Sequence, residues 1–202
     1  MVSINFRPII IVGKMGSGKT SVVDVLTSIY STSSLRYERI VTYTTRLRRT
    51  SENEESYHFV TNDKFEEMKA DGKFAEWYET EKDGVLIQYG SAIEDYTGFQ
   101  SNEQQACIKL LVLNPEGTKK AIKKLRPGNC TVVYLKAKDE TLIKHCLERG
   151  TERKEQIIER LEREAKEFGN FEKIADLTIN CDSIGIDVIA NIIDRYVHYD
   201  LY

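Results

Sequence analysis

The first apolar run, Ile9–Val12, lies between Pro8 and Gly13 and contains no polar position, the pattern of a strand buried on both faces. From Lys19 onward, Val22, Val23, Val25, Leu26 and Ile29 fall at helical spacing, so the chain opens as strand, glycine-rich loop and helix. A second strand is expected at Arg39–Tyr43, followed by a polar stretch, Thr44–Ser56, dense in Arg and Glu and without a regular period. Tyr57–Val60 reads as a strand, and Asn62 or Asp63 as the cap of a helix running to Gly72 with Phe65 and Met68 inward. Phe74–Tyr78 and Val85–Tyr89 flank Lys82-Asp83-Gly84, the signature of a hairpin.

Alternation then resumes. Ile108–Leu113 predicts a strand, a helix follows Pro115, Pro127-Gly128 breaks the chain, and Cys130–Leu135 predicts another strand. Asp139 is expected to cap a helix to Arg149, before a highly charged helix over Thr151–Phe168. Leu177–Asn180 reads as the last strand, and Ile184, Val188, Ile192 and Ile193 form the apolar face of a last helix. Strands alternating with helices predict an α/β fold, a parallel sheet with helices on both faces.

At 202 residues, 41% hydrophobic and 30% charged, the chain suits one globular domain and is too apolar for intrinsic disorder. Its net charge of −3 argues against non-specific nucleic-acid binding, which needs an excess of Lys and Arg. The run Ile9–Val12 is too short for a membrane span or a signal-peptide core. No membrane partner, no export and a cytoplasmic location are therefore expected. Cys107, Cys130, Cys146 and Cys181 match no zinc or CxxC spacing and are expected to be reduced, buried thiols.

Gly13-Lys14-Met15-Gly16-Ser17-Gly18-Lys19-Thr20 fits GxxxxGK[ST]. Glycines let successive backbone N–H groups turn inward around phosphate oxygens, and the helix that follows presents its positive end to the same anion. Lys19 reaches the β- and γ-phosphates in such a loop, and the Thr20 hydroxyl ligates Mg²⁺. The pattern thus predicts a P-loop NTPase-like site for ATP and Mg²⁺. It is silent on the acceptor.

Thr44-Thr45-Arg46-Leu47-Arg48-Arg49 concentrates arginines in a loop after a strand. This is either a solvated basic turn offset by Glu52, Glu54 and Glu55 or a bidentate clamp on a second phosphate. Together with Ser56-Tyr57-His58-Phe59, Phe74-Ala75-Glu76-Trp77, Tyr89-Gly90-Ser91, Arg149-Gly150-Thr151-Glu152 and Asn180-Cys181-Asp182, it makes the sequence resemble the guanylate kinase family over most of its length. The resemblance implies one domain over 1–202: a core of 1–42, 92–148 and 169–202, a strand-rich NMP-binding insert over 43–91, and a helical lid over 149–168.

The same resemblance implies that Arg46, Arg49, Tyr57 and Tyr89 ligand the acceptor phosphate and that Glu76 faces the guanine edge. Guanine N1–H and its exocyclic amine are adjacent donors that one carboxylate can accept, whereas adenine N1 is an acceptor. Thr42 and Ser91 resemble the hydroxyls that complete base recognition, and Asn180 a position near the ATP adenine. Arg149 and Arg160 resemble the arginines that reach the transferring phosphates as the lid shuts, acting with Lys19 and Arg46 on the developing charge. The implied activity is phosphoryl transfer from Mg-ATP to a nucleoside monophosphate, with GMP or dGMP the expected acceptor. The alternatives are a phospho-ligand binding module without turnover, or a kinase with another phosphate-bearing acceptor.

The chain departs from the pattern at several positions. Val112 and Asn114 stand where the family carries aspartates near the acceptor and the metal's water shell, and Glu116 is the nearby carboxylate. His145 replaces a phosphate-directed arginine, with Arg153 close in sequence to compensate, Leu47 replaces a proline, and Lys14 replaces a small residue or proline in the phosphate loop. The Glu52–Tyr57 loop is also about one residue short of the family's, counted along its motif.

Overall fold

A computed structural model describes residues 7–32, 35–48, 57–82, 84–97, 106–125, 128–150 and 152–199. In chain order the first elements are β1 (Ile9–Gly13), α1 (Lys19–Ser28), β2 (Leu35–Arg39), β3 (Tyr43–Thr44), β4 (His58–Phe59) and α2 (Asn62–Ala70). Next come β5 (Phe74–Lys82), β6 (Val85–Ala92), α3 (Ile93–Thr97), β7 (Ala106–Val112), α4 (Pro115–Leu125) and β8 (Thr131–Lys136). The chain continues through α5 (Asp139–Arg149), α6 (Lys154–Phe168), a 3-10 turn (Phe171–Lys173), β9 (Leu177–Asn180) and α7 (Ile186–Tyr199).

β2, β7, β1, β8 and β9 form, in that spatial order, a parallel sheet. β1 has no polar position because both of its faces are covered. Ile9 and Ile11 pack with Val22 and Leu26 of α1 and Ile189 and Ile193 of α7, while Ile10 and Val12 pack on the opposite side with Ala121 of α4 and Phe168 of α6. The α/β architecture is the expected one. It sets the loop after β1 at the carboxyl end of the sheet, where parallel α/β folds bind ligands.

The described residues form a second sheet in the order β4, β3, β6, β5. β3 and β4 are parallel, while β6 runs antiparallel to both β3 and β5. The expected hairpin is β5–β6, with Gly84 at φ 74 in its turn. Its anchor on α2 is the Phe65–Phe74 stack, centroids 4.5 Å apart, with Met68 beside it. Trp77 of β5 has two ammonium groups over its ring, Lys69 Nζ from α2 at 3.9 Å from the ring centroid and Lys120 Nζ from α4 at 4.8 Å. Lys120 Nζ also donates to the Trp77 carbonyl at 3.0 Å.

Three local expectations are corrected. The strand expected at Arg39–Tyr43 is two strands in different sheets, because Leu35 and Tyr37 supply the buried alternation of β2 and the chain changes sheet through Ile40–Thr42. α2 is capped by Thr61, not Asn62 or Asp63: the Thr61 hydroxyl accepts from Lys64 N at 3.2 Å. Asp139 does not cap α5; the capping position is Lys138, whose N–H donates to Asp182 Oδ1 at 2.8 Å, and Asp182 also accepts from the Thr141 hydroxyl at 2.9 Å. Of the four cysteines, Cys107 is half-buried and the others are buried, and all are free thiols.

Candidate active site

The phosphate loop joins β1 to α1 with Gly16 and Gly18 in left-handed conformations, φ 76 and 87. A Cβ on Gly16 would lie 2.8 Å from Cys146 Sγ and 2.8 Å from the Leu142 carbonyl, so α5 packs directly on the loop. His145 Nδ1 meets the Gly16 carbonyl at 3.0 Å, and since a carbonyl only accepts, Nδ1 carries the proton. His145 thus buttresses the loop backbone. Lys14 Nζ pairs with Asp139 Oδ1 at 2.8 Å, which offsets its charge. Ser17 is buried, and its hydroxyl has no partner among the described residues. Thr20 lies exposed in the first turn of α1.

Lys19 Nζ donates to the carbonyls of Gly13 at 2.7 Å and Lys14 at 2.9 Å. Burial lowers its pKa to about 8; the Glu164 carboxylate opposes that shift, and the cations of Arg160 and Arg149 add to it. The Met15 N–H donates to Glu164 Oε2 at 2.7 Å, so a carboxylate of α6 sits on a loop amide that suits a phosphate oxygen. The glycines, the lysine and this stand-in anion fit a nucleotide phosphate. Among the described residues no group of three His, Cys, Asp or Glu side chains is placed to hold a metal. Magnesium here would rely on Thr20, water and phosphate oxygens, its usual ligands at such sites.

On the second sheet, Thr44 and Thr45 fix the arginine turn. Thr44 Oγ1 donates to the Gln88 carbonyl at 3.0 Å and accepts from Arg46 N at 3.2 Å, and Thr45 Oγ1 accepts from Gln88 N at 2.9 Å. Arg46 lies over the Tyr57 ring, 5.2 Å from its centroid, and over Phe59 at 5.7 Å. Tyr57 meets Tyr89 edge-on at 6.1 Å, and Tyr89 stacks on Tyr78 at 5.1 Å. The structure therefore gathers Arg46, Tyr57 and Tyr89. Arg49 lies outside the described residues, as do Glu52 and Thr151.

Glu76 is 2% exposed. Its Oε1 accepts from the Ser91 hydroxyl at 2.7 Å, and that hydroxyl is 2.6 Å from Tyr96 Oη. Its Oε2 has no partner among the described residues. Burial outweighs the Ser91 hydrogen bond and pushes the carboxyl pKa up to about 7. Above it, Asn114 caps α4, its Oδ1 accepting from Gly117 N at 2.7 Å, with Pro115 at the first helical position. A Cβ on Gly117 would come within 2.9 Å of Glu76 Oε2, so the first turn of α4 lies directly against this carboxylate.

Asn114 thus serves as a helix cap, Val112 packs against the core, and Glu116 pairs with Lys120 at 2.7 Å. Thr42 is half-buried, its carbonyl accepting from His58 N. Asn180, exposed at the end of β9, accepts from Asp182 N at 3.0 Å.

Arg160, on α6, relates the two halves. Its Nε donates to Glu164 Oε1 at 2.9 Å, and its charge bears on both the Lys19 ammonium and the Tyr78 hydroxyl. Arg149 is exposed at the end of α5, and its charge bears on Lys19. Arg153 begins α6, its N–H donating to Gln156 Oε1 at 3.1 Å, a contact with the helix and not with the loop. A cavity of about 310 Å³ lies where Tyr78 and Thr80 of β5 face Asn114, Glu116 of α4 and Glu167 of α6.

A family model described as guanylate kinase matches residues 5–197. The chain belongs to the guanylate kinase family. It is similar to the guanylate kinase of Schizosaccharomyces pombe, 28% identical over 175 residues that cover 86% of this chain and 81% of that one. It is also similar to the guanylate kinase of Aster yellows witches'-broom phytoplasma, 26% identical over 190 residues, 94% of this chain and 82% of that one. The structure of guanylate kinase from Anaplasma phagocytophilum superposes with a TM-score of 0.68 at 17% identity, covering 100% of this chain and 89% of that one, a likeness of fold. Family membership makes the chain a nucleoside monophosphate kinase. No helix among the described residues is long and apolar enough to cross a membrane.

Two residues that sequence reasoning passed over belong to this guanylate kinase-like cleft. Tyr78 follows Glu76 by two positions on β5 and pairs in register with Tyr89, so strand alternation alone puts it on the Glu76 face. Glu164 follows Arg160 by one helical turn, a spacing that joins their side chains. Its partnership with Met15 has no local signal.

Proposed function

We propose that the chain transfers the γ-phosphoryl group of ATP to the phosphate of GMP or dGMP. The observation that carries this reading is Arg160, held beside the phosphate loop because Glu164 joins its Nε at 2.9 Å to the Met15 amide at 2.7 Å. A cation beside the phosphate loop suits in-line transfer, since the chemistry asks for positioning and charge neutralisation more than for a covalent catalyst.

In this reading Gly13–Thr20 cradle the ATP phosphates, Lys19 approaches the β- and γ-phosphates, and Asn180 lies toward the adenine. Thr20 ligates Mg²⁺, which supplies further neutralisation of the phosphates. Arg46, Arg49, Tyr57 and Tyr89 hold the acceptor phosphate, while Thr42, Ser91 and Glu76 read the base. The unpartnered Glu76 Oε2 supports the last role: a carboxylate with an open acceptor matches guanine's paired donors. Because Glu76 is almost fully covered, the base enters only when the second sheet parts from α4. Segment 149–168 acts as a lid that brings Arg149 and Arg160 and excludes water from ATP.

The test is ADP formation from Mg-ATP with GMP, dGMP, AMP, CMP and dTMP, with Lys19→Ala as control. A guanine acceptor should be fastest, and the variant should lose on the order of 10³-fold in rate. No turnover with any acceptor, or a Lys19→Ala variant with its rate intact, refutes the assignment.

A further inference from the structure

The contact between α6 and the phosphate loop puts an anion where the loop is built to receive one. Met15 N has a single hydrogen to give, and it goes to Glu164 Oε2 at 2.7 Å. The other oxygen, Oε1, holds Arg160 Nε at 2.9 Å. The Glu164 side chain is 15% exposed, so the pair is half-sheltered from solvent screening. Three cations converge here, Lys19, Arg149 and Arg160, and the two arginines disfavour charge on the lysine. Two carboxylates offset them: Glu164, and Glu152, whose Oε1 lies 3.8 Å from Arg160 Nη1. Around Glu164, the side chains of Met15, Leu142, Cys146, Ile157 and Leu161 form a small apolar cluster that joins the loop to α5 and α6.

We propose that Glu164 is a positioning residue that fills the phosphate nest in the nucleotide-free chain and is displaced from it by a phosphate group of ATP. The Met15 amide cannot serve both anions, so binding of ATP and the Glu164 contact exclude one another. Displacement also releases Arg160 Nε from Glu164 at the moment a phosphate arrives for it to meet, while Glu152 stays 3.8 Å from its Nη1. Glu164 thereby keeps α6 against the loop while the site is empty and weakens nucleotide binding by the strength of the contact it gives up. This inference rests on the assignment of Gly13–Thr20 as an ATP site.

The experiment measures ATP and ADP dissociation constants calorimetrically on the full chain, alongside KM for ATP and for GMP, in the parent, Glu164→Gln, Glu164→Ala and Lys19→Ala. A charge-assisted hydrogen bond to a backbone amide implies that Glu164→Ala binds ADP about tenfold more tightly or better. Glu164→Gln, which keeps the shape and loses the charge, should fall between it and the parent. KM for ATP should drop with KM for GMP unchanged; damage to the fold would weaken binding, not tighten it. Variants that melt normally yet bind ATP and ADP no more tightly than the parent overturn the proposal. The ATP-site assignment fails separately, if Lys19→Ala binds ATP as the parent does.

Discussion

Replacing Glu76 with glutamine should stabilise the protein and damage its acceptor site, with a pH dependence that separates the two effects. The carboxyl has a folded-state pKa of about 7 against an ordinary value of 4.5 for an exposed glutamate. Each unit corresponds to about 1.4 kcal/mol, so ionising Glu76 in place costs the fold about 3 kcal/mol. An acid whose pKa is raised by folding leaves stability intact below its unfolded pKa and withdraws it as pH rises through the folded pKa. The parent should therefore match Glu76→Gln near pH 4.5 and fall behind it progressively toward pH 8. Urea unfolding of both proteins at half-unit intervals measures that gap. KM for GMP in the parent should fall from about pH 6 to about pH 8 as the carboxylate forms. In the variant KM should be raised at least about tenfold and stay flat, because an amide N–H would face guanine's donors. A stability gap independent of pH would show that the carboxyl is not held in the apolar setting described, and the argument from its burial would fall.

Lys19, with a pKa of about 8, is partly neutral at pH 8 in the free chain, and phosphate binding should restore its charge. ATP binding at about pH 8 should then take up about half a proton, with far less uptake at about pH 6.5, read from calorimetry in buffers of different ionisation enthalpy. Thr44→Val keeps the shape of a side chain that is 0% exposed but abandons its bonds to Gln88 and Arg46. It should cost about 1–3 kcal/mol in chemical unfolding and raise KM for GMP more than KM for ATP.

The parallel sheet was legible because its central strands β1, β7 and β8 carry apolar runs bounded by turn residues, and the phosphate loop because its chemistry is local. The boundary at Arg39–Tyr43 was not, since an apolar run gives no sign that the chain changes sheets within it. Asn62 and Asp63 are good caps by type, yet Thr61 holds the position, because the preceding strand fixes where the helix starts. Arg46, Tyr57, Glu76 and Tyr89 were found through motif order, and their aromatic packing follows from strand register. Glu164 stayed hidden because its partner is a backbone amide 149 positions away, and nothing about a glutamate on a charged helix announces such a contact.

The chain has one tryptophan, and Trp77 carries ammonium groups from α2 and α4 over its ring. Its neighbour Glu76 closes against the first turn of α4. Movement of β5 away from α4 must pull one cation off the indole while the other, carried by α2 beside the same sheet, stays. The protein therefore contains a built-in fluorophore, and its ultraviolet emission should follow opening and closing of the acceptor cleft in stopped-flow without a dye or an added label.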